Sequence, residues 1–99
     1  MFARYVRYDL RLGSRSTFET WANEIASLYR GREGFRGLTV LAENATGEYA
    51  VLTLWETKEA AEAAGSVLPD AQQWLDRTLR GPPVVRIYEV YAHDAVPAS

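Results

Sequence analysis

The chain has no cysteine and only one histidine among its 99 residues. Without cysteine there is no disulfide framework, no thiolate metal site and no cysteine nucleophile. An excess of positive charge is also missing, since the net charge is −2. A nucleic-acid-binding domain usually carries a basic face, so we expect neither structural disulfides nor a nucleic-acid partner.

Long apolar runs are absent as well. A membrane-spanning helix needs about 20 consecutive apolar residues, and the runs here extend over only a few. Arg4 and Arg7 interrupt the first apolar stretch, so residues 1–9 lack the apolar core of a signal peptide. We therefore predict a cytoplasmic protein that does not cross a membrane, with a single domain over residues 1–93 and a flexible tail over residues 94–99.

Glycine and proline divide the chain into short elements that are typical of an α+β domain. Alternating or continuous apolar patterns predict four strands, over residues 2–12, 38–43, 48–56 and 84–91. An apolar stripe with helical spacing predicts a helix over residues 16–30, which begins with a capping box formed by Ser16 and Glu19. A second helix is expected in two pieces, over residues 57–64 and about 69–79.

The resulting order β-α-β-β-α-β predicts a ferredoxin-like α+β fold. Right-handed crossovers place the two helices, the second of them broken, on one face of a four-stranded antiparallel sheet with the first and third strands in the middle. The other face would be polar in a monomer, but the third and fourth predicted strands are largely apolar on both faces. We expect this face to pack against a second copy of the chain in a symmetric homodimer.

The middle of the chain contains a Gly-Phe-Arg-Gly-Leu turn at residues 34–38, an Ala-Thr-Gly-Glu segment at residues 45–48 and a strand at residues 51–56 that ends in Trp-Glu. Together these segments resemble the antibiotic-biosynthesis monooxygenase family, and the element order agrees over residues 2–91. The resemblance implies a dimeric α+β barrel with a pocket in each subunit between helices and sheet. It also implies cofactor-free oxygenation of aromatic polyketides or quinols in some members and haem degradation in others.

The haem-degrading members of this family carry an Asn on the first strand, a Trp at the end of the third strand and an iron-binding His on the second helix. Trp55 matches the Trp, but Val6 stands in place of the Asn, and Gln73 or Trp74 stands in place of the His. The single histidine, His93, follows the last predicted strand. We therefore expect no haem, no metal and no other cofactor.

Eight side chains are candidates for the lining of the pocket that the resemblance implies: Val6, Tyr8, Phe18, Trp21, Tyr49, Trp55, Gln73 and Trp74. An apolar pocket would hold a flat phenolic compound, whose anion reacts with O₂ when donors stabilise it away from water. No histidine or carboxylate is evidently placed to accept the proton, so the catalytic residues stay unassigned. The three aromatic residues that fall on helical stripes are also ordinary core positions.

The arginines are harder to place from the sequence. Arg4, Arg7 and Arg11 are expected to form solvated or interface ion pairs with acidic residues of the first and last strands. Arg86 is an anion partner for the pocket only if the last strand turns it inwards, and the pattern of that strand leaves both faces open.

Three functions follow from this interpretation. The first is a cofactor-independent monooxygenase that acts on a small aromatic or quinone-like compound. The second is a non-catalytic protein that binds an apolar metabolite in the same pocket. The third is an isomerase or decarboxylase of a small metabolite, because dimeric barrels host these activities too.

Overall fold

The structure is a computed structural model that describes residues 1–94. Its elements, in chain order, are β1 (Phe2–Asp9), α1 (Arg15–Arg30), β2 (Phe35–Glu43), β3 (Glu48–Trp55), α2 (Lys58–Ala63), a 3₁₀ turn (Ala64–Ser66), α3 (Gln72–Thr78) and β4 (Val84–Glu89). The predicted α+β order and the broken second helix are confirmed. Most of the expected tail, residues 95–99, lies outside the described residues.

The four strands form one antiparallel sheet in the order β2-β3-β1-β4. The first and third strands are central, as predicted. Val6 of β1 lies opposite Val51 of β3 and Val85 of β4, whereas its neighbour Tyr5 lies opposite Leu52. Because side chains alternate along a strand, these two sets point to opposite faces, which we call the covered face and the uncovered face.

The hydrophobic core lies between the covered face and the helices. Its buried side chains include Val6, Tyr8, Leu10, Phe18, Trp21, Ile25, Tyr29, Val51, Trp55 and Leu75. The predicted stripe of α1 supplies Phe18, Trp21, Ala22, Ile25 and Tyr29 to this core. Leu28, which was assigned to the same stripe, is exposed. Burial of these apolar side chains supplies the largest favourable contribution to folding.

The start of α1 differs from the expectation. The helix begins at Arg15, and the carbonyl oxygen of Ser14 accepts the amide proton of Phe18. The predicted capping box is therefore wrong, because Ser16 lies inside the first turn. Glu19 instead accepts a hydrogen bond from Nε of Arg15 at 2.7 Å, an exposed ion pair of the kind that stabilises a helix by a few tenths of a kcal/mol.

Helix α3 is shorter than expected, and one of its predicted inward residues is exposed. It begins at Gln72, and its inward positions belong to Ala71 and Leu75, which are both almost completely buried. Trp74, which was expected to point inwards, is 54 % exposed. Ala71, Gln72 and Leu75 define the inward side. Trp74 lies about 100° around the helix from Leu75, on the side away from Gln72.

None of the helices in residues 1–94 is long and apolar enough to cross a membrane. The cytoplasmic location stays a prediction.

Candidate functional site

A cavity of about 140 Å³ lies between the covered face, helix α1 and the segment that joins α2 to α3. Most of the residues that line it are apolar, among them Val6, Trp21, Ile25, Val67, Leu68 and Val85, and the polar ones are Arg4, Tyr8, Tyr29 and Gln72. A protein cavity of about 150 Å³ holds a benzene molecule. The volume of this helix–sheet cavity therefore matches a single aromatic ring.

Three of the eight candidate residues line the cavity: Val6, Tyr8 and Trp21. The alternation of β1 brings Val6 and Tyr8 to the covered face. The ring of Trp21 meets that of Tyr8 edge to face, with centroids 5.2 Å apart. Its indole nitrogen donates a hydrogen bond to Oε1 of Gln72 at 2.8 Å, which ties helix α1 to the first residue of α3.

Two further candidates, Phe18 and Tyr49, lie behind the cavity wall and do not line it. Their rings stack with centroids 4.7 Å apart, and the Phe18 ring lies 5.8 Å from that of Tyr8. The hydroxyl of Tyr49 donates to Oδ1 of Asn44 at 3.4 Å. These two rings support Tyr8 from the side opposite to the cavity.

Trp55 occupies a different part of the core. It is 1 % exposed, and its indole nitrogen donates to Oγ1 of Thr53 at 2.8 Å. Its ring packs against Tyr29 and Phe35, with centroid distances of 5.1 and 5.3 Å. It borders an open groove near the start of α2, which also includes Gly34 and is separate from the helix–sheet cavity.

The last two candidates, Gln73 and Trp74, do not line the cavity, and their side chains are exposed. The inward positions Ala71 and Leu75 are as expected, but Gln73 and Trp74 do not share that side. Gln72 lines the cavity instead, and its Nε2 donates to Oδ1 of Asp76 at 2.8 Å. The amide of Gln72 is thus fully engaged with its neighbours on both sides.

The last strand does not turn Arg86 towards the cavity. Arg86 lies opposite Tyr5 of β1 and therefore on the uncovered face. Its Nη1 donates to the carbonyl oxygen of Val85 at 3.0 Å. Arg86 is thus not an anion partner within the cavity of its own chain.

Arg4 is the cavity residue that sequence reasoning missed. It shares the covered face with Val6 and Tyr8, it lines the cavity, and it is half-buried. Its guanidinium lies against Gly65 of the 3₁₀ turn, where an added Cβ would stand 3.1 Å from Nη2. Arg4 lies two residues from Val6 on β1, so strand alternation predicts that both side chains point to the same face. The position was missed because an arginine on a strand was expected to face water.

The expected ion pairs of the first strand are only partly present. Arg7 and Asp9 approach to 3.8 Å between Nη2 and Oδ2. Arg4 forms no ion pair and no side-chain hydrogen bond within residues 1–94. Its positive charge therefore faces the cavity without a counter-charge from the described chain.

Burial raises the pKa of Tyr8 far above its ordinary value, and the nearby charge of Arg4 offsets only part of that rise. Burial also raises the pKa of Tyr29, again against the opposing effect of Arg4. Both hydroxyls therefore keep their protons at neutral pH. The hydroxyl of Tyr29 donates to the carbonyl oxygen of Ala64 at 3.0 Å, whereas that of Tyr8 has no partner within residues 1–94 and can donate to a ligand.

The cavity offers little to a metal ion or to haem. Its described lining contains no histidine, cysteine, methionine or carboxylate, which are the usual protein ligands of transition metals and haem iron. No group of three or more metal-ligating side chains occurs within the described part of the chain. His93 follows β4 and is exposed.

Solved structures with low sequence identity share this fold. SnoaB, a cofactor-independent oxygenase from Streptomyces nogalater, superposes with a TM-score of 0.74 at 17% identity, over 93% of this chain and 94% of its own. A protein of unknown function from Nitrosomonas europaea gives 0.75 at 17% identity, over 99% and 95% of the two chains. Rv0793 from Mycobacterium tuberculosis gives 0.74 at 14% identity, over 95% and 98%.

A search of curated proteins finds no match. The sequence model of one family, described as antibiotic biosynthesis monooxygenase, matches residues 1–66. This match spans two thirds of the 99 residues and includes β1, α1 and the β2–β3 hairpin. The resemblance seen in the sequence is confirmed, and the chain belongs to the antibiotic biosynthesis monooxygenase family.

Proposed function

We propose that this protein is a cofactor-independent monooxygenase whose substrate is a phenol or hydroquinone with one aromatic ring. The observation that carries the proposal is the apolar helix–sheet cavity into which the protonated Tyr8 hydroxyl can donate. Membership of the family supports it, and so does the shared fold of SnoaB, which is described as a cofactor-independent oxygenase.

The reaction needs neither an external reductant nor a metal. A phenolate is electron-rich enough to pass electrons to O₂, and recombination forms a new carbon–oxygen bond on the ring. Loss of water then leaves a quinone, so one oxygen atom of O₂ enters the product and the other leaves as water. Two hydrogen atoms of the phenol end up in that water, and the electrons balance.

The protein's contribution to this reaction is electrostatic. A hydroxyl donor at Tyr8 stabilises negative charge on the substrate oxygen more strongly in an apolar cavity than in water. The Tyr8 hydroxyl is a poor proton acceptor, because its raised pKa means that it stays protonated. The described lining holds no carboxylate or imidazole, so the phenolate must form by ionisation of the substrate itself.

The test is oxygen consumption with hydroquinone and methylhydroquinone, corrected for spontaneous oxidation, together with ¹⁸O₂ labelling of the quinone. Tyr8→Phe keeps the ring and removes the donor, and we expect it to slow the reaction about 100- to 1,000-fold. Tyr49→Phe is the matched control, since its hydroxyl contacts Asn44 behind the wall, and it should leave the rate unchanged. Uptake no faster than the spontaneous rate, or hydrogen peroxide formed without label in the quinone, would contradict the proposal.

One observation favours the second candidate function, a non-catalytic binding protein. A general base usually contributes 10²–10⁴-fold to a proton-transfer step, and the described cavity lining has none. A binding protein would be stabilised thermally by single-ring phenols and would consume no oxygen.

We also propose that the uncovered face forms a homodimer interface. Its exposed or half-buried side chains include Tyr5, Leu41, Leu52, Leu54 and Tyr88, together with Arg7 and Arg86, while Ala3 and Ala50 of the same face are buried. No helix in residues 1–94 packs against this face, because the strand side chains in the core all belong to the covered face. Burial of apolar area contributes about 25 cal/mol per Å², which favours pairing of two such faces.

A further inference from the structure

We infer that Arg4 is a recognition site for a carboxylate, so that the ligand of the helix–sheet cavity is an aromatic acid with a single ring. The inference rests on the proposed function for the location of the ligand, and it adds the chemical class of that ligand. It concerns binding alone, and it is therefore testable without turnover.

The first argument is the missing counter-charge. Two arginines of the described chain are half-buried, Arg4 and Arg7, and Arg7 approaches Asp9 at 3.8 Å. The remaining arginines are exposed, whether or not they pair with a carboxylate as Arg15 does with Glu19. Arg4 is half-buried at the cavity and has no such partner within residues 1–94. Partial burial of a charge costs free energy unless the charge is paired. An anion that binds next to the Arg4 guanidinium would supply the missing opposite charge, and its binding is therefore favoured at this position.

The second argument is the space that the chain keeps for the guanidinium. Gly65 does not adopt a positive φ, so the backbone does not require glycine there. What glycine provides is room, since a Cβ at position 65 would stand 3.1 Å from Nη2 and 3.8 Å from Cζ of Arg4. The 3₁₀ turn thereby leaves room for the guanidinium of Arg4, which lines the cavity.

The third argument is the distance between the two polar ends of the cavity. Arg4 and Tyr8 lie four residues apart on one face of β1, which separates their backbones by about 13 Å. Val6 lies between them and forms an apolar floor. An aromatic ring placed over Val6 directs one substituent towards Arg4 and the opposite one towards the Tyr8 hydroxyl, which suits an acid with a phenol group para to the carboxylate.

The geometry of arginine fits this ligand. A guanidinium offers parallel N–H donors that match the two oxygens of a carboxylate. Its charge also reaches both tyrosines of the cavity, because it opposes the rise in their pKa values. The same field would stabilise an anion bound between them.

The experiment compares the binding of 4-hydroxybenzoate and 4-hydroxybenzamide, two probes with the same ring and hydroxyl but different charge. Isothermal titration calorimetry under nitrogen separates binding from any oxygen chemistry. We expect wild-type protein to bind the benzoate about 10- to 100-fold more tightly than the benzamide, as is typical of a charge-assisted hydrogen bond. Higher salt concentration should reduce this preference.

Three variants distinguish recognition from a general effect of charge. Arg4→Gln should remove the preference for the benzoate over the benzamide, whereas Arg4→Lys should keep part of it. Gly65→Ala should weaken benzoate binding, because the new methyl group displaces the guanidinium. Arg15→Gln removes the same charge at an exposed ion pair and should preserve the full preference. Circular dichroism establishes that each variant is folded.

Equal affinity of wild-type protein for the two probes would overturn the inference, and so would a preference that survives in Arg4→Gln. The experiments distinguish a failure of this inference from a failure of the proposed oxygenase function. Oxygen uptake with uncharged hydroquinone together with equal binding of the two probes would leave the oxygenase standing and remove the carboxylate site. A clear preference for the benzoate without any oxygen uptake would keep the site and assign it to a binding protein.

Discussion

Gly47, at the end of the β2–β3 turn, is the position where a single residue constrains the fold most tightly. Its φ of 76° lies in the left-handed region, and a Cβ there would overlap the carbonyl oxygen of Leu10. The amide of Leu10 also donates to the carbonyl oxygen of Gly47 at 2.8 Å. This close approach joins the hairpin to the end of β1.

Three glycine-to-alanine variants separate the two effects at Gly47. Gly81→Ala should change the free energy of unfolding little, since it has neither a positive φ nor a neighbour within 4 Å of the added carbon. Gly13→Ala, with a φ of 85° and open space, should cost about 1–2 kcal/mol. Gly47→Ala should cost more than Gly13→Ala, because the steric overlap adds to the strain. Urea denaturation measures all three, and equal losses at positions 13 and 47 would contradict the steric argument.

At the scale of single residues, the sequence predicted some of the cavity-lining side chains and missed others. Strand alternation placed Val6 and Tyr8 on one face, and the family resemblance turned that face towards the helices, so both were assigned to the cavity. Arg4 obeys the same alternation, but its charge suggested a solvated residue. Its guanidinium lies against Gly65, which is 61 residues away in sequence, and the local pattern of β1 gives no sign of this contact.

At the scale of elements, α1 and α3 show that the buried side of a helix is easier to predict from the sequence when the helix is long. The 16 residues of α1 repeat the apolar stripe over more than four turns, so its buried side is determined well. Helix α3 has only 7 residues, and its N-cap Ala71 together with Trp74, Leu75 and Thr78 all have spacings that predict an inward side chain. Packing against the rest of the core buries Ala71 and Leu75 and leaves Trp74 exposed, which periodicity in a helix of this length could not decide.

The side of α3 that is buried can be tested by a pair of truncations. Leu75→Ala should lower the free energy of unfolding by about 2–5 kcal/mol, because Leu75 is fully buried. Trp74→Ala should lower it by about 0.5 kcal/mol or less despite the larger loss of atoms, since Trp74 is 54 % exposed. Thermal and urea denaturation provide the measurement. A larger loss at Trp74 would mean that something covers this side chain in solution.

The strands were predicted more securely than α3. The sheet order and the central places of β1 and β3 follow from crossover handedness. The faces of β4 stayed open because Val84 and Val85 are equally apolar, and only the pairing of Val85 with Val6 decides between them. That pairing depends on a contact between the two ends of the chain, which local periodicity does not encode.

At the scale of the whole molecule, the uncovered face dominates the expected behaviour in solution. Contiguous apolar surface of several hundred Å² is rare on monomers and marks interaction sites. A twofold interface brings the same patch of both copies together. The proposed dimer therefore has a mass of about twice the 11.1 kDa of the chain.

Leu52, at the middle of β3 on the uncovered face, is the position chosen to test the dimer. Leu52→Arg places a charge in the proposed interface and should give a monomer in sedimentation velocity at micromolar concentration, with little loss of folded structure. Leu12→Arg is the matched control, because Leu12 is exposed in the turn before α1, and this variant should sediment as the wild type does. A wild-type protein that sediments as a monomer at this concentration would refute the dimer.

Strand β1 places two surfaces on alternate residues: Arg4, Val6 and Tyr8 face the helices, and Tyr5 and Arg7 face away. A single inserted amino acid in this strand would exchange the two sets, because the side-chain repeat is two. Tyr5 and Arg7 would then point towards the cavity, and the guanidinium of Arg4 would lie on the uncovered face. In homologous chains β1 should therefore diverge by replacement at fixed length, with insertions and deletions confined to the loops at its ends.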